Sequence, residues 1–237
     1  MLRSLLASAL FAGLIAGLFA AGLQQAFLVP LIAEAELYES GAATHFAGVE
    51  AAGHSHEAVA GHSHDQGTGG GADLTRHLLT VLMTVLATCG FALILVAAFA
   101  LAERFGLIRV DLRTGLLFGL AGFAATQLMP ALGLSPELPG AAAGELMHRQ
   151  LWWIGTVVGT AGGIALIAWG GTGLKVAGAI LIAAPHLVGA PHPDAFDGVV
   201  PPELSALFAA RVLVVGALAW AALGALAGHF WCREVHD

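Results

Sequence analysis

Six long apolar runs decide which folds this chain of 237 residues can adopt. They cover residues 5–31, 77–102, 113–133, 151–170, 173–189 and 205–230. About 20 apolar residues cross the roughly 30 Å hydrocarbon core of a bilayer as an α-helix, and every run except the short fifth one reaches that length comfortably. Lipid offers no partners for backbone polar groups, and the alternation that a barrel needs is absent. The sequence therefore predicts an all-α integral membrane protein, a bundle of about six transmembrane helices.

Composition supports a single membrane domain over residues 1–237, with a flexible, acidic, His-rich extracytoplasmic loop at 33–74 within it. Charged residues make up only 11% of the chain, whereas a soluble domain has about a quarter. The formal net charge of −7 therefore lies in the loops, and no basic patch suggests nucleic acid as a partner. Neither a Walker A motif nor an HExxH motif occurs, so we expect no ATPase, no other enzyme and no resident cofactor.

The distribution of Lys and Arg predicts the orientation in the membrane. One side would receive six basic residues, at Arg3, Arg104, Arg109, Arg113, Lys175 and Arg233. The other side would receive Arg76 and Arg149. The bias predicts that both termini are cytoplasmic and that the loop at 33–74 faces outward. The first run could instead be a signal peptide, but it is long for one and lacks a clear Ala-x-Ala cleavage site.

The loop at 33–74 carries a tandem histidine repeat whose two halves each end in an acidic residue, Glu57 or Asp65. Its candidate metal ligands form two His-x-His pairs, at His54, His56, His62 and His64. Residues two apart in an extended segment lie on the same side, so both imidazoles of a pair can reach one ion. Imidazole with carboxylate suits zinc, nickel, cobalt or copper. The alternative is a low-complexity spacer that binds metal weakly.

A segment rich in proline and histidine, residues 184–194, ends the fifth run. Pro185 cannot donate a backbone hydrogen bond, which predicts a short, broken helix. Ionisable groups in a span indicate function, and transporters often bind ions at broken helices. We therefore treat His186, His192 and Asp194 as candidate metal ligands. The alternative is a helix-ending proline beside an interfacial histidine that a carbonyl satisfies.

A further candidate ligand, Glu137, lies in the stiff turn Ser135-Pro136-Glu137-Leu138-Pro139-Gly140 at the outer mouth of the bundle. Glu145 and His148 follow before the fourth helix and could add ligands, although a rigid turn with solvated acids fits equally well. Arg211 lies inside the sixth run and needs a partner unless its side chain snorkels to the interface. Its candidate partners are Glu137, Glu145 and Glu203.

Two glutamines in the first run, Gln24 and Gln25, have two readings. They could line a polar path through the bundle, or they could hydrogen-bond between neighbouring helices. The second reading is the more ordinary one.

Short motifs spread over nearly the whole chain link it to one family. They are Leu23-Gln24-Gln25, Val29-Pro30-Leu31, Glu34-Ala35-Glu36, Pro136-Glu137-Leu138-Pro139-Gly140, Arg149-Gln150-Leu151-Trp152-Trp153 and Pro185-His186-Leu187-Val188-Gly189-Ala190-Pro191-His192-Pro193. On these motifs the chain resembles the CbtA family of probable cobalt transporter subunits. The resemblance implies cobalt uptake linked to cobalamin synthesis, commonly alongside CbtB, a small single-span partner that bears histidine. It assigns no ligand role to any individual residue.

Together these patterns predict a bacterial inner-membrane protein that moves a divalent transition metal ion into the cell, with cobalt as the cargo that the resemblance implies. The outer coordination site would consist of Glu137, His186, His192 and Asp194. Because a ligating imidazole is neutral, uptake should fall below about pH 6. Nickel or zinc as cargo, and a non-transporting scaffold or metal-sensing subunit, are the alternatives. Homo-oligomerisation stays open.

Overall fold

The computed structural model describes residues 2–45, 70–193, 195 and 198–236. Across these ranges the regular structure is helical throughout, without a strand, which confirms the predicted all-α class. The elements in chain order are α1 (Leu2–Phe27), α2 (Val29–Glu39), α3 (Gly70–Arg104), α4 (Leu112–Phe123), a π-helical turn (Ala124–Leu128), α5 (Met129–Ala131), α6 (Leu146–Trp169), α7 (Thr172–Val188) and α8 (Pro202–His236).

Five helical segments in the described part are long and apolar enough to cross a membrane. They are Leu5–Phe27, Leu74–Arg104, Leu112–Ala131, Leu146–Trp169 and Pro202–Glu234. α7 is a shorter apolar helix, as expected for the short fifth run. The prediction of about six helices is thus confirmed, and the chain is a multi-pass membrane protein.

Successive spans alternate in direction, so the connecting segments lie at two ends of the bundle. One end carries α2 and the segments 132–145 and 189–201, and we call it the α2 end. The opposite end carries the short connections 105–111 and 170–171. The predicted orientation would place the α2 end outside the cell.

Glycine allows the helices of the bundle to approach closely. α1 lies between α3 and α8, α4 packs along α8, and α6 pairs with α7. Gly115 and Gly119 on α4 face Gly224 and Gly228 on α8, where a Cβ on Gly224 would lie only 2.7 Å from Gly119 Cα. Since helix association in lipid depends on such packing, the small-residue spacing in the sequence marks a real interface.

Two apolar clusters divide the interior. The larger one joins α1, α3, α4 and α8, and its largest fully buried side chain is Trp231. The second lies at the α2 end, where α2, the segment 132–145 and the start of α8 meet. Leu138, 3% exposed, is the residue by which the segment 132–145 enters this cluster. The neighbouring Glu137 is thereby held in place.

The predicted break in the fifth helix is wrong. α7 runs without interruption from Thr172 to Val188, and Pro185 lies in its last turn. The helix ends immediately afterwards at Gly189, whose φ of 90° favours glycine. The carbonyl that Pro185 leaves without its helical donor belongs to Leu181, and Gly159 on α6 allows close approach to it. A proline this near the end of a helix disturbs little.

The connection at the opposite end is structural, in line with the absence of any predicted chemistry there. The Glu103 side chain accepts hydrogen bonds from the backbone N–H of Val110 at 2.7 Å and from Trp231 Nε1 at 3.2 Å. Asp111 caps α4 by accepting from the Thr114 N–H at 2.7 Å, and this bond lowers the pKa of the Asp111 carboxyl. These contacts fix the turn between α3 and α4.

Candidate metal site

The segment 132–145 owes its position to the irregular end of the third span. A π-helical turn at Ala124–Leu128 precedes Pro130, which has no N–H to offer to the Thr126 carbonyl. Trp153 on α6 replaces that donor, with Nε1 at 3.2 Å from Thr126 O. π-helical turns occur frequently at functional sites. The side chains around this turn are therefore candidates for a functional role.

Glu137 is paired with Arg149 of α6. Arg149 Nη2 donates to Glu137 Oε2 at 2.6 Å, and the two side chains are 25% and 29% exposed respectively. Glu137 was one of the three acids proposed as partners of Arg211, and it pairs with Arg149 instead. Arg211 instead donates to the Phe27 carbonyl at 3.2 Å, at the junction of α1 and α2.

Two cavities meet at Glu137, which lines both of them. The His192 cavity, about 480 Å³, is formed by the segments 132–145 and 189–201 with the start of α8, and His192 lines it. The Gln127 cavity, about 450 Å³, is formed by the third span (Leu112–Ala131), α6 and α8, and both Gln127 and Arg149 line it.

The segments 132–145 and 189–201 contact each other and bring Glu137 and His192 to one cavity. The Val199 N–H donates to Gly140 O at 3.3 Å. A Cβ on Gly144 would lie 3.1 Å from Pro191 O, so the segments pack backbone against backbone. Of the predicted ligand set, the structure places Glu137 and His192 at a common cavity. Their carboxylate and imidazole are suitable donors for a divalent transition metal ion.

His186 lies elsewhere, against Trp152 at the interface of α6 and α7. The two rings meet edge to face with their centroids 5.7 Å apart. Trp152 Nε1 donates to Pro185 O at 3.0 Å, which anchors the end of α7 on α6. His186 Nε2 is buried and has no hydrogen-bond partner in the structure. His186 does not line the His192 cavity or the Gln127 cavity.

The remaining predicted ligands lie outside the described residues. They are His54, His56, His62, His64 and Asp194. Within the described residues, no three His, Cys, Asp or Glu side chains are grouped so as to hold a metal ion. Glu145 and His148 pair with each other at 3.0 Å, and both are well exposed. Of the predicted ligands, the described part thus brings two, Glu137 and His192, to one cavity.

The polar residues of the first span hydrogen-bond between helices, as in their more ordinary reading. Thr84 on α3 donates to Gln24 Oε1 at 2.8 Å. His77 Nδ1 lies 2.9 Å from Gln25 Oε1. Arg76 pairs with Glu36, which ties α2 to the start of α3. These contacts fix the α2 end.

Two residues near the site were not proposed as functional from the sequence. Gln127 lies in the middle of the π-helical turn, and its Oε1 is buried without a hydrogen-bond donor. Arg149 carries a buried Nε that also has no partner. A glutamine near the end of an apolar span, three residues before Pro130, is the signal that could have singled out Gln127.

Comparison with known proteins identifies one family that the chain matches over nearly its whole length. The family model described as "Probable cobalt transporter subunit (CbtA)" matches residues 2–232. The chain belongs to this CbtA family. The family description is that of a transporter subunit. No curated protein and no solved structure is detectably similar to the chain. Within a CbtA-family chain, the Glu137–His192 pair is thus a candidate place for cargo to bind.

Proposed function

We propose that the chain is the membrane subunit that carries a divalent transition metal ion, with cobalt as the first candidate, into a bacterial cell across the inner membrane. The observation that carries the proposal is the common cavity of Glu137 and His192 at the α2 end of a CbtA-family membrane bundle. Positive charge concentrated at the opposite end supports an outward-facing α2 end. An ion arriving from outside would meet this cavity first.

The ligand pair Glu137 and His192 supports a class of divalent transition metal ions as cargo rather than one particular metal. A carboxylate and an imidazole bind cobalt, nickel and zinc, and their intrinsic affinity does not favour cobalt over nickel. Cobalt comes from the family description. Two protein ligands leave several positions on the ion to water or to other donors. Asp194 and the loop histidines, which lie outside the described residues, are proposed to supply some of them.

The acidic His-rich loop is proposed to act as an antenna that raises the ion concentration at the α2 end. The alternative cargoes, nickel and zinc, use the same ligands. A small single-span, histidine-bearing subunit of the CbtB type is proposed as partner, consistent with the word "subunit" in the family description.

Radiolabelled cobalt uptake into proteoliposomes that contain only this chain tests the proposal. We expect Glu137→Gln and His192→Ala to reduce initial uptake at least about tenfold, because removing one of few ligands typically costs more than 1.4 kcal/mol of ion affinity. Glu145→Gln and His148→Ala are matched controls at the same end, since their side chains pair with each other in solvent. They should leave uptake within twofold, about the effect of a surface ion pair.

Two further variants separate the parts of the predicted site. Deletion of residues 52–65 should lower uptake only at low ion concentration if the loop is an antenna. His186→Ala should leave the apparent ion affinity unchanged, because His186 contacts Trp152 rather than the His192 cavity. Equal loss of uptake in Glu137→Gln and Glu145→Gln would contradict the assignment of the site.

A second function, a non-transporting subunit that scaffolds a partner or senses metal for it, has one observation in its favour. The described residues offer a two-ligand site rather than a complete coordination shell. In that case the chain alone binds cobalt but does not transport it, and uptake appears only after the single-span partner is added. Reconstitution with and without the partner separates the two functions.

A further inference from the structure

Two buried polar atoms without partners line the same cavity and have complementary hydrogen-bonding character. Arg149 Nε is a donor, Gln127 Oε1 is an acceptor, and neither has a partner in the structure. Both residues line the Gln127 cavity, whose volume is about 450 Å³. A buried polar group without a partner is costly, so two such groups on side chains that line one cavity point to a second arrangement in which they meet.

Arg149 already has one partner, and that partner is the proposed metal ligand. Arg149 Nη2 donates to Glu137 Oε2 at 2.6 Å, while Glu137 also lines the His192 cavity. A guanidinium and a divalent cation would compete for this one carboxylate, because like charges around a shared ligand repel each other. An ion that takes Glu137 Oε2 must therefore displace Arg149.

We propose that Arg149 is a tethered counter-cation that holds Glu137 until a divalent metal ion displaces it, after which the guanidinium donates to Gln127 Oε1. The inference rests on the proposed metal site and adds a residue that sets its affinity. In the empty state Arg149 neutralises a partly buried carboxylate. In the loaded state Arg149 donates to the side-chain amide oxygen of Gln127 in the π-helical turn. Ion binding at the α2 end is thereby coupled to the third span.

The position of Gln127 suits this role. It lies inside the π-helical turn Ala124–Leu128, and its side chain rests against Gly216 of α8, where a Cβ would collide with Gln127 Oε1. Oε1 thus lies against α8, and the side-chain amide must turn toward the cavity that Gln127 lines for Oε1 to accept from Arg149. π-helical turns occur frequently at functional sites, and this one carries a buried acceptor, Gln127 Oε1, that has no donor.

Isothermal titration of cobalt chloride into the full chain in lipid nanodiscs tests the inference through binding alone. Arg149→Gln should tighten cobalt binding about two- to fivefold, the range expected when a partly exposed competing ion pair is removed. Arg149→Lys keeps the competing charge and should stay within twofold of the wild type. Gln127→Leu should weaken binding about two- to fivefold, because the displaced arginine loses its second partner.

The decisive result is the coupling between the two positions. In an Arg149→Gln background, Gln127→Leu should have no effect on cobalt affinity, since no guanidinium needs a new partner. Gln127→Glu in the otherwise wild-type chain should tighten binding, and misfolding cannot produce a gain of that sign. Equal effects of Gln127→Leu in both backgrounds, or no effect in either, would overturn the proposal.

Failure of this inference and failure of the proposed function give different results. Cobalt binding with the predicted coupling but without uptake, alone or with a partner, supports the arginine exchange and contradicts transport. Uptake that depends on Glu137 but not on Arg149 or Gln127 supports transport and overturns the exchange. Absence of cobalt binding by the wild type would overturn the exchange outright, whereas transport would still be judged by the uptake assay.

Discussion

Replacing Gly224 by alanine should loosen the contact between α4 and α8. A Cβ at this position would lie 2.7 Å from Gly119 Cα and 2.8 Å from Gly119 N. Ordinary carbon–carbon contacts are about 3.5–4.0 Å, so the two backbones must separate locally by about 1 Å. Overpacking of this kind costs about 1–3 kcal/mol. The higher helix propensity of alanine offsets about 0.5–1 kcal/mol of that cost.

We therefore expect Gly224→Ala to lower the free energy of unfolding by about 1–2 kcal/mol. Reversible unfolding by SDS in mixed micelles, followed by far-ultraviolet circular dichroism, measures it. Gly90→Ala is the matched control, because a Cβ on Gly90 of α3 would meet nothing within 4 Å. That variant should be neutral or slightly more stable. Equal free energies of unfolding for the two variants would refute the view that backbone contact between glycines holds α4 on α8.

Two other predictions concern single hydrogen bonds. Trp153→Phe should lower the free energy of unfolding by about 1–2 kcal/mol, because Thr126 O then loses the donor that replaces the missing N–H of Pro130. Trp169→Phe is the control in the same SDS titration. A loss of stability in Trp153→Phe no larger than in the control would contradict the prediction. Asp111→Ala should cost about 0.5–2 kcal/mol at pH 7 through loss of the cap on α4. Since the Thr114 N–H lowers the pKa of Asp111 in the folded state, the part of this contribution that depends on the charged carboxylate is fully present above the ordinary carboxyl pKa and should decline as the pH falls below about 4. A wild-type-minus-variant difference that stays constant from pH 7 to pH 3 would count against it.

The spans could be predicted from the sequence because lipid leaves few alternatives. Hydrophobic length alone identifies the spans, and glycines four residues apart, as at Gly115/Gly119 and Gly224/Gly228, are typical of closely packed helices. The spacing could not tell which pairs would face each other. That choice depends on helix order and rotation, which are tertiary properties.

The candidate site was predictable only in part. The residue types of Glu137 and His192 were sufficient to propose them as ligands, since carboxylate and imidazole are suitable donors for a divalent transition metal ion. The contact between the segments 132–145 and 189–201 brings the two together, and it depends on backbone packing at Gly140 and Gly144. His186, in the last turn of α7 just before the segment 189–201, contacts Trp152 instead. No pattern along the chain distinguishes these outcomes.

Proline explains why the polar contacts concentrate at the α2 end. Pro30 follows the end of α1, Pro130 follows the π-helical turn and Pro185 lies in the last turn of α7. At each of these irregular ends a side chain from another helix donates to a main-chain carbonyl. The donors are Arg211 to Phe27 O, Trp153 to Thr126 O and Trp152 to Pro185 O.

These cross-helix bonds make irregular backbone tolerable within an apolar bundle, because an exposed carbonyl in lipid would otherwise lack a partner. They also leave Glu137 and His192 on segments whose flanking helices are tied to one another. A site held this way can keep its ligands in place while one side chain, Arg149, changes partner. The same argument predicts that loss of a tryptophan donor disturbs ion affinity more than loss of a lipid-facing leucine on α6, such as Leu151, which is 60% exposed.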